Sequence, residues 1–333
     1  MVALVIVCGS DGDKGGEKMP LKRRYRYVRE FFADDDLVAV YSIDDSELGL
    51  VAYSDGWDGW MAEFDRIFWE SAVTECEQRV WYVGDKNYYE DLTNRFNEKA
   101  VLVDRKATNP ICATMIRENP VKYWNKITFP FKRIFSHSIL ICGTSSEGKS
   151  TLTTDLGKYF NAPYSYEWAR GYMEESCVSD WELDSGDYIA FLEGQYNLNK
   201  KLINSPANNG LFFADSDSMV TKMYAEYYAK DDACALTLEE YEKIAVTADE
   251  ITRKCKWDKI FLVAPHGIFV DDHTRFMKHS GMQERKELFD ILVRNIKESG
   301  NWDKVTILTG DYYENFMSVV DYVNNIIEKG NSK

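Results

Sequence analysis

Short apolar runs alternate with longer amphipathic stretches along the whole chain. Such runs, bounded by turn residues, predict strands, and a 3.6-residue period predicts helices. In the first half the strands fall at Val2–Cys8, Leu37–Ile43, Arg79–Val83 and Ala100–Val103. Helical patterns cover Leu21–Phe32 and Asp58–Cys76, and a short helix is expected after Asn109-Pro110, because Pro suits a helix start. The stretch Asn119–Arg133 holds prolines, aromatics and basic residues without a clear period. It reads as a connector between domains, the alternative being a surface helix of the first.

The alternation then restarts. Strands are expected at Ser138–Cys142, Tyr164–Tyr166, Leu211–Ala214, Lys259–Val263 and Val305–Leu308. The helices between and after them include Gly148–Phe160, Tyr188–Leu202, Gln283–Glu298 and Glu314–Lys329. This predicts two α/β domains, residues 1–130 and 137–333, on doubly wound parallel sheets; the second should have about five strands with helices on both faces.

Composition narrows the function classes. Apolar residues make up 45% of the 333, enough for ordinary cores. No apolar run reaches the ~18 residues of a membrane span, so none is expected. The apolar start Met1–Cys8 is short and lacks a basic flank, so it does not read as a signal peptide. The formal charge of −15 argues against direct nucleic-acid binding. The best basic run, Lys22-Arg23-Arg24-Tyr25-Arg26, falls on a predicted helix and reads as a solvated face, with no helix-turn-helix pattern ahead of it. The 7 cysteines are scattered without C-x-x-C spacing, which fits buried thiols in a reducing, cytoplasmic compartment. Histidines 266, 273 and 279 are too weakly patterned to argue a metal site.

Gly143-Thr144-Ser145-Ser146-Glu147-Gly148-Lys149-Ser150 fits the phosphate-loop pattern G-x-x-x-x-G-K-[ST], between an apolar strand and a helix. Its glycines let backbone N–H groups wrap phosphates at a helix N-terminus. The expected ligand is ATP with Mg²⁺: Lys149 on the β/γ-phosphates, Ser150 on the metal, and Ser145, Ser146, Glu147 and Thr151 within the nucleotide contacts. Asp215 and Asp217 follow a strand on the same sheet edge. One would hold Mg²⁺ through water and the other would position or deprotonate an acceptor hydroxyl; the plainer reading of either is a helix cap. Glu167 and Arg170 end another strand and are candidates for acceptor or phosphate contacts, an ordinary ion pair being the alternative. Asp271, Asp272, Arg275 and Arg285 fit a lid that brings arginine to the phosphates, and equally a solvated loop. A GTPase finds no N-K-x-D motif, and the second half is too short for a mechanical ATPase.

Together these residues resemble the NadR-type family, which joins an NMN adenylyltransferase domain to a ribosylnicotinamide kinase domain. The resemblance implies an incomplete nucleotidyltransferase-like, Rossmann-type domain followed by a P-loop kinase domain. It implies phosphorylation of nicotinamide riboside to NMN, with Glu167, Arg170, Asp217, Asp271 and Asp272 on the substrate and Arg275 in the lid. His273 departs from the glycine expected there. In the first domain, Ile111-Cys112-Ala-Thr114-Met-Ile-Arg117 looks like the I-S-x-T-x-I-R motif of nucleotidyltransferases, with Cys112 in place of serine. Trp57 and Trp60 resemble the family's tryptophan pair around nicotinamide, core packing being the alternative, and Gly84-Asp85 would reach a ribose or base edge. The H-x-G-H loop that the family uses for adenylyl transfer has no counterpart, since no histidine precedes His137. Met1 aligns near the domain's second strand. The expectation is a first domain without its first strand and that loop, which binds NMN or NAD and is slow or inactive as an adenylyltransferase. The alternatives are an NAD-sensing regulator with a non-catalytic first domain and a kinase of another small nucleoside. The expected partners are nicotinamide riboside, NMN and ATP, with assembly into a homo-oligomer left open.

Overall fold

The computed structural model describes residues 2–9, 13–14, 17–52, 55–71, 78–104, 107, 110–266 and 281–329. Backbone packing divides the chain into Met1–Ile134 and Phe135–Lys333. The expected connector belongs to the first of these as a 3₁₀ turn, Trp124–Lys126, and most of a helix, Phe129–Phe135. Its aromatics pack in that unit: Phe131 meets Tyr27 edge to face.

In the first unit, strand β1 (Ala3–Cys8) pairs in parallel with β4 (Val38–Ile43), and helix Leu21–Phe31 connects them. A short antiparallel pair, β2 (Asp13–Lys14) with β3 (Glu17–Lys18), lies between β1 and that helix. Lys22, Arg23 and Arg26 are solvated on the helix, as its basic face suggested. A second parallel pair, β5 (Trp81–Val83) with β6 (Ala100–Leu102), brackets helix Lys86–Asn94. Among the described residues these two parallel pairs are separate sheets rather than one doubly wound sheet. Short strands of two or three residues leave the core to aromatics: Trp57, Met61 and Leu92 are buried against Trp60, Phe64, Trp81 and Phe96.

The second unit holds a parallel sheet of 5 strands in the order β11-β10-β7-β9-β8. These are β7 (His137–Gly143), β8 (Tyr164–Ser165), β9 (Leu211–Asp215), β10 (Lys259–Val263) and β11 (Val305–Leu308). Strands buried on both faces need apolar residues at every position, which is why β7 reads as an unbroken run. Alternate side chains feed two cores. Leu140, Cys142, Phe212 and Leu262 pack on one face, and Ile139, Ile141, Phe213 and Phe261 on the other. Helices Lys149–Tyr159 and Tyr312–Lys329 cover the second face, while Ser185–Ile203, Ser218–Tyr228, Leu238–Lys254 and Met282–Glu298 cover the first. The carboxyl ends of β7, β8, β9 and β10 therefore share one edge, where parallel sheets bind ligands.

Candidate functional site

The phosphate loop leaves β7 at Gly143 and enters helix Lys149–Tyr159. Gly143 has φ +150°, and a Cβ there would stand 2.7 Å from the Val263 carbonyl oxygen, so this turn excludes any side chain. Gly148 caps the helix in the left-handed region, φ +73°. Lys149 is buried under the loop and donates to the Thr144 carbonyl at 2.6 Å. Ser145 is buried, while Ser150 and Thr151 sit exposed at the first turn of the helix, where unpaired N–H groups and the helix dipole favour an anion.

Glu147 is not at the surface of this loop. Its side chain is fully buried, and Arg285 of helix Met282–Glu298 donates to it at 2.8 Å. The His266 backbone N–H donates to its other oxygen at 2.9 Å. Arg285 was expected on a lid or on the nucleotide; it is instead a buried partner of the loop's own carboxylate. Asp271, Asp272, Arg275 and His273 lie outside the described residues.

The two aspartates separate. Asp215 ends β9 beside β7, opposite Ile141. Its carboxyl oxygens are buried without a hydrogen-bond partner in the structure. Burial pushes its pKa up to about 6; the Lys149 charge opposes this and the Glu167 charge adds to it. Arg170 and the nearby Ser150 hydroxyl also lower it, although Ser150 stops short of a formed hydrogen bond. Asp217 was expected at the reacting groups; in the structure both of its oxygens take partners on the core side. Ser216 between them has φ +87°, and beyond it Asp217 faces the core. There Asp217 caps helix Ser218–Tyr228, accepting from the N–H groups of Met219 at 3.0 Å and Val220 at 3.4 Å. Its other oxygen accepts from the Trp257 indole at 2.9 Å. Burial also raises its pKa to about 6, against these three donors. Asp217 is the helix cap that an acidic residue after a strand often is.

Glu167 and Arg170 do approach each other, at 3.6 Å. Glu167 opens helix Trp168–Ser176 and lines a cavity whose space, with the open solvent at its mouth, is about 450 Å³. Ser216, Asp180, Gln195, Tyr188, Tyr224 and Tyr228 are among the other lining groups, none of them singled out by the sequence pattern. The Tyr228 hydroxyl donates to Asp180 at 2.7 Å. Gln195 ties the backbone on both sides of Glu167: it accepts from the Trp168 N–H at 2.8 Å and donates to the Tyr166 carbonyl at 3.2 Å. Its amide also donates to Asn199 at 3.1 Å, which fixes the rotamer. The arrangement is a phosphate cradle, a carboxylate without a hydrogen-bond partner that feels the charges of Lys149 and Glu167, and a mainly apolar cavity that Glu167 lines.

A Mg²⁺ ion fits this edge. Among the described residues there is no cluster of three or more His, Cys, Asp or Glu side chains. Magnesium on a nucleotide needs none, because it keeps its waters and takes one or two protein oxygens with the phosphates. The Ser150 hydroxyl and the orphaned Asp215 carboxylate supply hard oxygens of that kind.

The first unit's expected contacts are more dispersed. Trp57 is a core residue, and its indole donates to Asp91 at 2.9 Å. Trp60 is half-buried and donates to the Val51 carbonyl at 3.0 Å. Gly84 is half-buried, and Asp85 is an exposed N-cap that accepts from the Asn87 N–H at 2.8 Å. Thr114 and Arg117 do meet, at 3.1 Å, on the short helix Ala113–Glu118.

A family model described as an AAA domain matches residues 138–315. A crystal structure of NadR protein in complex with NR is 31% identical, with a TM-score of 0.82, over 98% of this chain and 88% of that one. The chain belongs to the NadR family, and through its second unit to that of AAA domains. A NadR structure in complex with NAD and AMP-PNP matches over the same shares at 31% identity and a TM-score of 0.80. The trifunctional NAD biosynthesis/regulator protein NadR of Escherichia coli strain K12 is 26% identical over 309 residues, 91% of this chain and 69% of that protein. Its Salmonella typhimurium counterpart is also 26% identical, over 310 residues. For this NadR-family chain, no helix among the described residues is long and apolar enough to cross a membrane.

Proposed function

We infer that the second unit transfers the γ-phosphoryl group of ATP to the 5′-hydroxyl of nicotinamide riboside, giving NMN and ADP. The observation that carries this is the buried Asp215 carboxylate, which has no hydrogen-bond partner and feels the charges of both Lys149 in the phosphate loop and Glu167 at the cavity. NadR proteins solved with NR and with NAD and AMP-PNP support the choice of substrates.

The residues divide the work by position. The loop N–H groups and Lys149 hold the β/γ-phosphates. Ser150, with Asp215 through water, would hold Mg²⁺, which when bound neutralises charge on the phosphates. Glu167, in the cavity, accepts the proton of the attacking hydroxyl as the new O–P bond forms and the bridging P–O bond to ADP breaks. Arg170 balances the Glu167 charge. Tyr188, Tyr224 and Tyr228 offer flat apolar surface to the base, and Asp180 with Gln195 offers polar contacts to the ribose. For the first unit we propose only that Thr114 and Arg117, together on one exposed turn, meet a nucleotide phosphate.

The test is a product assay. The purified chain with nicotinamide riboside, ATP and Mg²⁺, resolved chromatographically, should yield NMN, and a Lys149→Ala control should not. No NMN from the wild type, or equal NMN from the control, would overturn the assignment. NAD appearing after NMN would add adenylyl transfer to the activities of this chain.

A further inference from the structure

Glu147 stands next to Gly148 in a loop whose task is to bind phosphates, where a free carboxylate would repel them. The structure turns it away. Ser146 and Gly148 on either side have φ +62° and +73°, and the Glu147 side chain between them is 0% exposed. One oxygen accepts from Arg285 at 2.8 Å. The other accepts from the His266 N–H at 2.9 Å, with His266 Nδ1 at 3.2 Å. Arg285 is itself only 3% exposed and lies 138 residues further along the chain, so the contact is a tertiary choice and not a local accident.

We propose that Arg285 is a positioning residue for nucleotide binding: it neutralises Glu147 beneath the phosphate loop and keeps that carboxylate turned from the phosphates. Removing one member of a buried pair strands a charge, whereas removing both need not. Arg285→Met leaves the Glu147 carboxylate without its counter-charge, free to swing toward the loop's N–H groups and compete with phosphate. Glu147→Gln removes the charge and keeps an oxygen to accept from His266. The two substitutions are therefore coupled with a defined sign.

The inference rests on ATP binding by the loop, as does the function proposed above. The experiment is calorimetric titration with ATP and Mg²⁺ and no riboside, on the full chain and on R285M, E147Q and the double variant. R285M should bind ATP at least about tenfold more weakly, E147Q within about threefold of wild type, and the double variant should recover to within about threefold. Tm is read beside each titration. A purely structural pair would lower Tm in the single variants and leave ATP affinity of the folded protein unchanged, which overturns the proposal. So does a double variant as weak as R285M. If R285M fails to fold, Arg285→Gln takes its place: it keeps a donor for Glu147 but no charge, and it should bind ATP at least about threefold more weakly, whereas wild-type affinity in the folded R285Q overturns the proposal. A wild type that binds ATP but makes no NMN would sink the riboside assignment and leave the pair standing; one that binds no ATP would sink both.

Discussion

The Trp257 indole donates to the buried Asp217 carboxylate at 2.9 Å, and that bond separates two aspartates that look equivalent in sequence. Asp217 already satisfies two N–H groups at the start of helix Ser218–Tyr228. An asparagine can cap the same helix through its one oxygen, but its amide NH₂ then faces the indole N–H, donor against donor. Asp217→Asn should therefore keep turnover while losing about 1–3 kcal/mol for the stranded indole donor, and Asp217→Ala, which gives up the cap as well, should lose more. Urea denaturation and the NMN assay read the two effects separately. Abolished turnover in a stable Asp217→Asn would restore Asp217 to the chemistry.

The same residue gives a pH dependence. Burial raises the Asp217 pKa from 3.8 to about 6 in the folded chain. Between those values the folded state holds a proton that the unfolded state has lost, so stability falls as pH rises through the window. The contribution is fully present below the unfolded value and gone above about 6. Asp217→Asn removes this titration. Its stability relative to wild type should rise from pH 4 toward pH 7, measured by denaturation without metal; a flat difference would contradict the assignment.

Asp215 should behave in the opposite functional sense. Its oxygens have no hydrogen-bond partner, so the fold gains little from the charge it buries. Asp215→Asn should reduce NMN formation by about 10²–10⁴-fold while leaving Tm equal or higher. A variant that loses Tm and turnover together would make Asp215 a structural residue.

How much of this could be read beforehand depends on burial. The runs Ser138–Cys142, Leu211–Ala214 and Lys259–Val263 are legible because strands covered on both faces carry no polar residue beyond the first, Ser138 or Lys259, to break the pattern. Helix Ser218–Tyr228 is buried nearly all round, so no polar stripe marks its period. Helix Leu238–Lys254 does announce itself, through the Thr237–Glu240 capping box, a signal that hydrophobic period alone does not pick up. Within the site, the phosphate loop, Glu167 and Asp215 are marked by their place after strands. The inward turn of Glu147 is not, because Ser146 takes a left-handed φ that residue type does not announce. Arg285 reads as a lid arginine for the phosphates or a solvated loop charge, and becomes a buried ion only through a partner far along the chain. Gln195 acts on backbone, which leaves no pairwise signal between side chains.

In the first unit, Trp57 should prove a packing residue. Trp57→Phe leaves the Asp91 oxygen without its donor and a smaller ring between Tyr88 and Phe96. The loss should be about 1–3 kcal/mol. Because two units need not unfold together, the readout is local: faster amide exchange in helix Lys86–Asn94. Unchanged exchange with lost NMN or NAD binding would instead give Trp57 a ligand contact.

Gln195 should separate the two substrates. Its side chain holds the backbone before and after Glu167 through the Tyr166 carbonyl and the Trp168 N–H. Gln195→Leu keeps most of the volume, cuts both bonds and lets the Glu167 carboxylate drift in the cavity. A misplacement of that kind acts on the acceptor, not on the phosphate loop, which is built from β7 and the helix after it. KM for nicotinamide riboside should rise at least about tenfold with a fall in kcat, while KM for ATP stays within about twofold. Gln195→Glu keeps the oxygen that accepts from Trp168 and loses the N–H that reaches Tyr166, so it should fall between wild type and Gln195→Leu. Steady-state kinetics with each substrate varied in turn decides it. Equal rises in both KM values would mean that the substitution loosens the whole sheet edge, and Gln195 would then be a stability residue rather than one that aims Glu167.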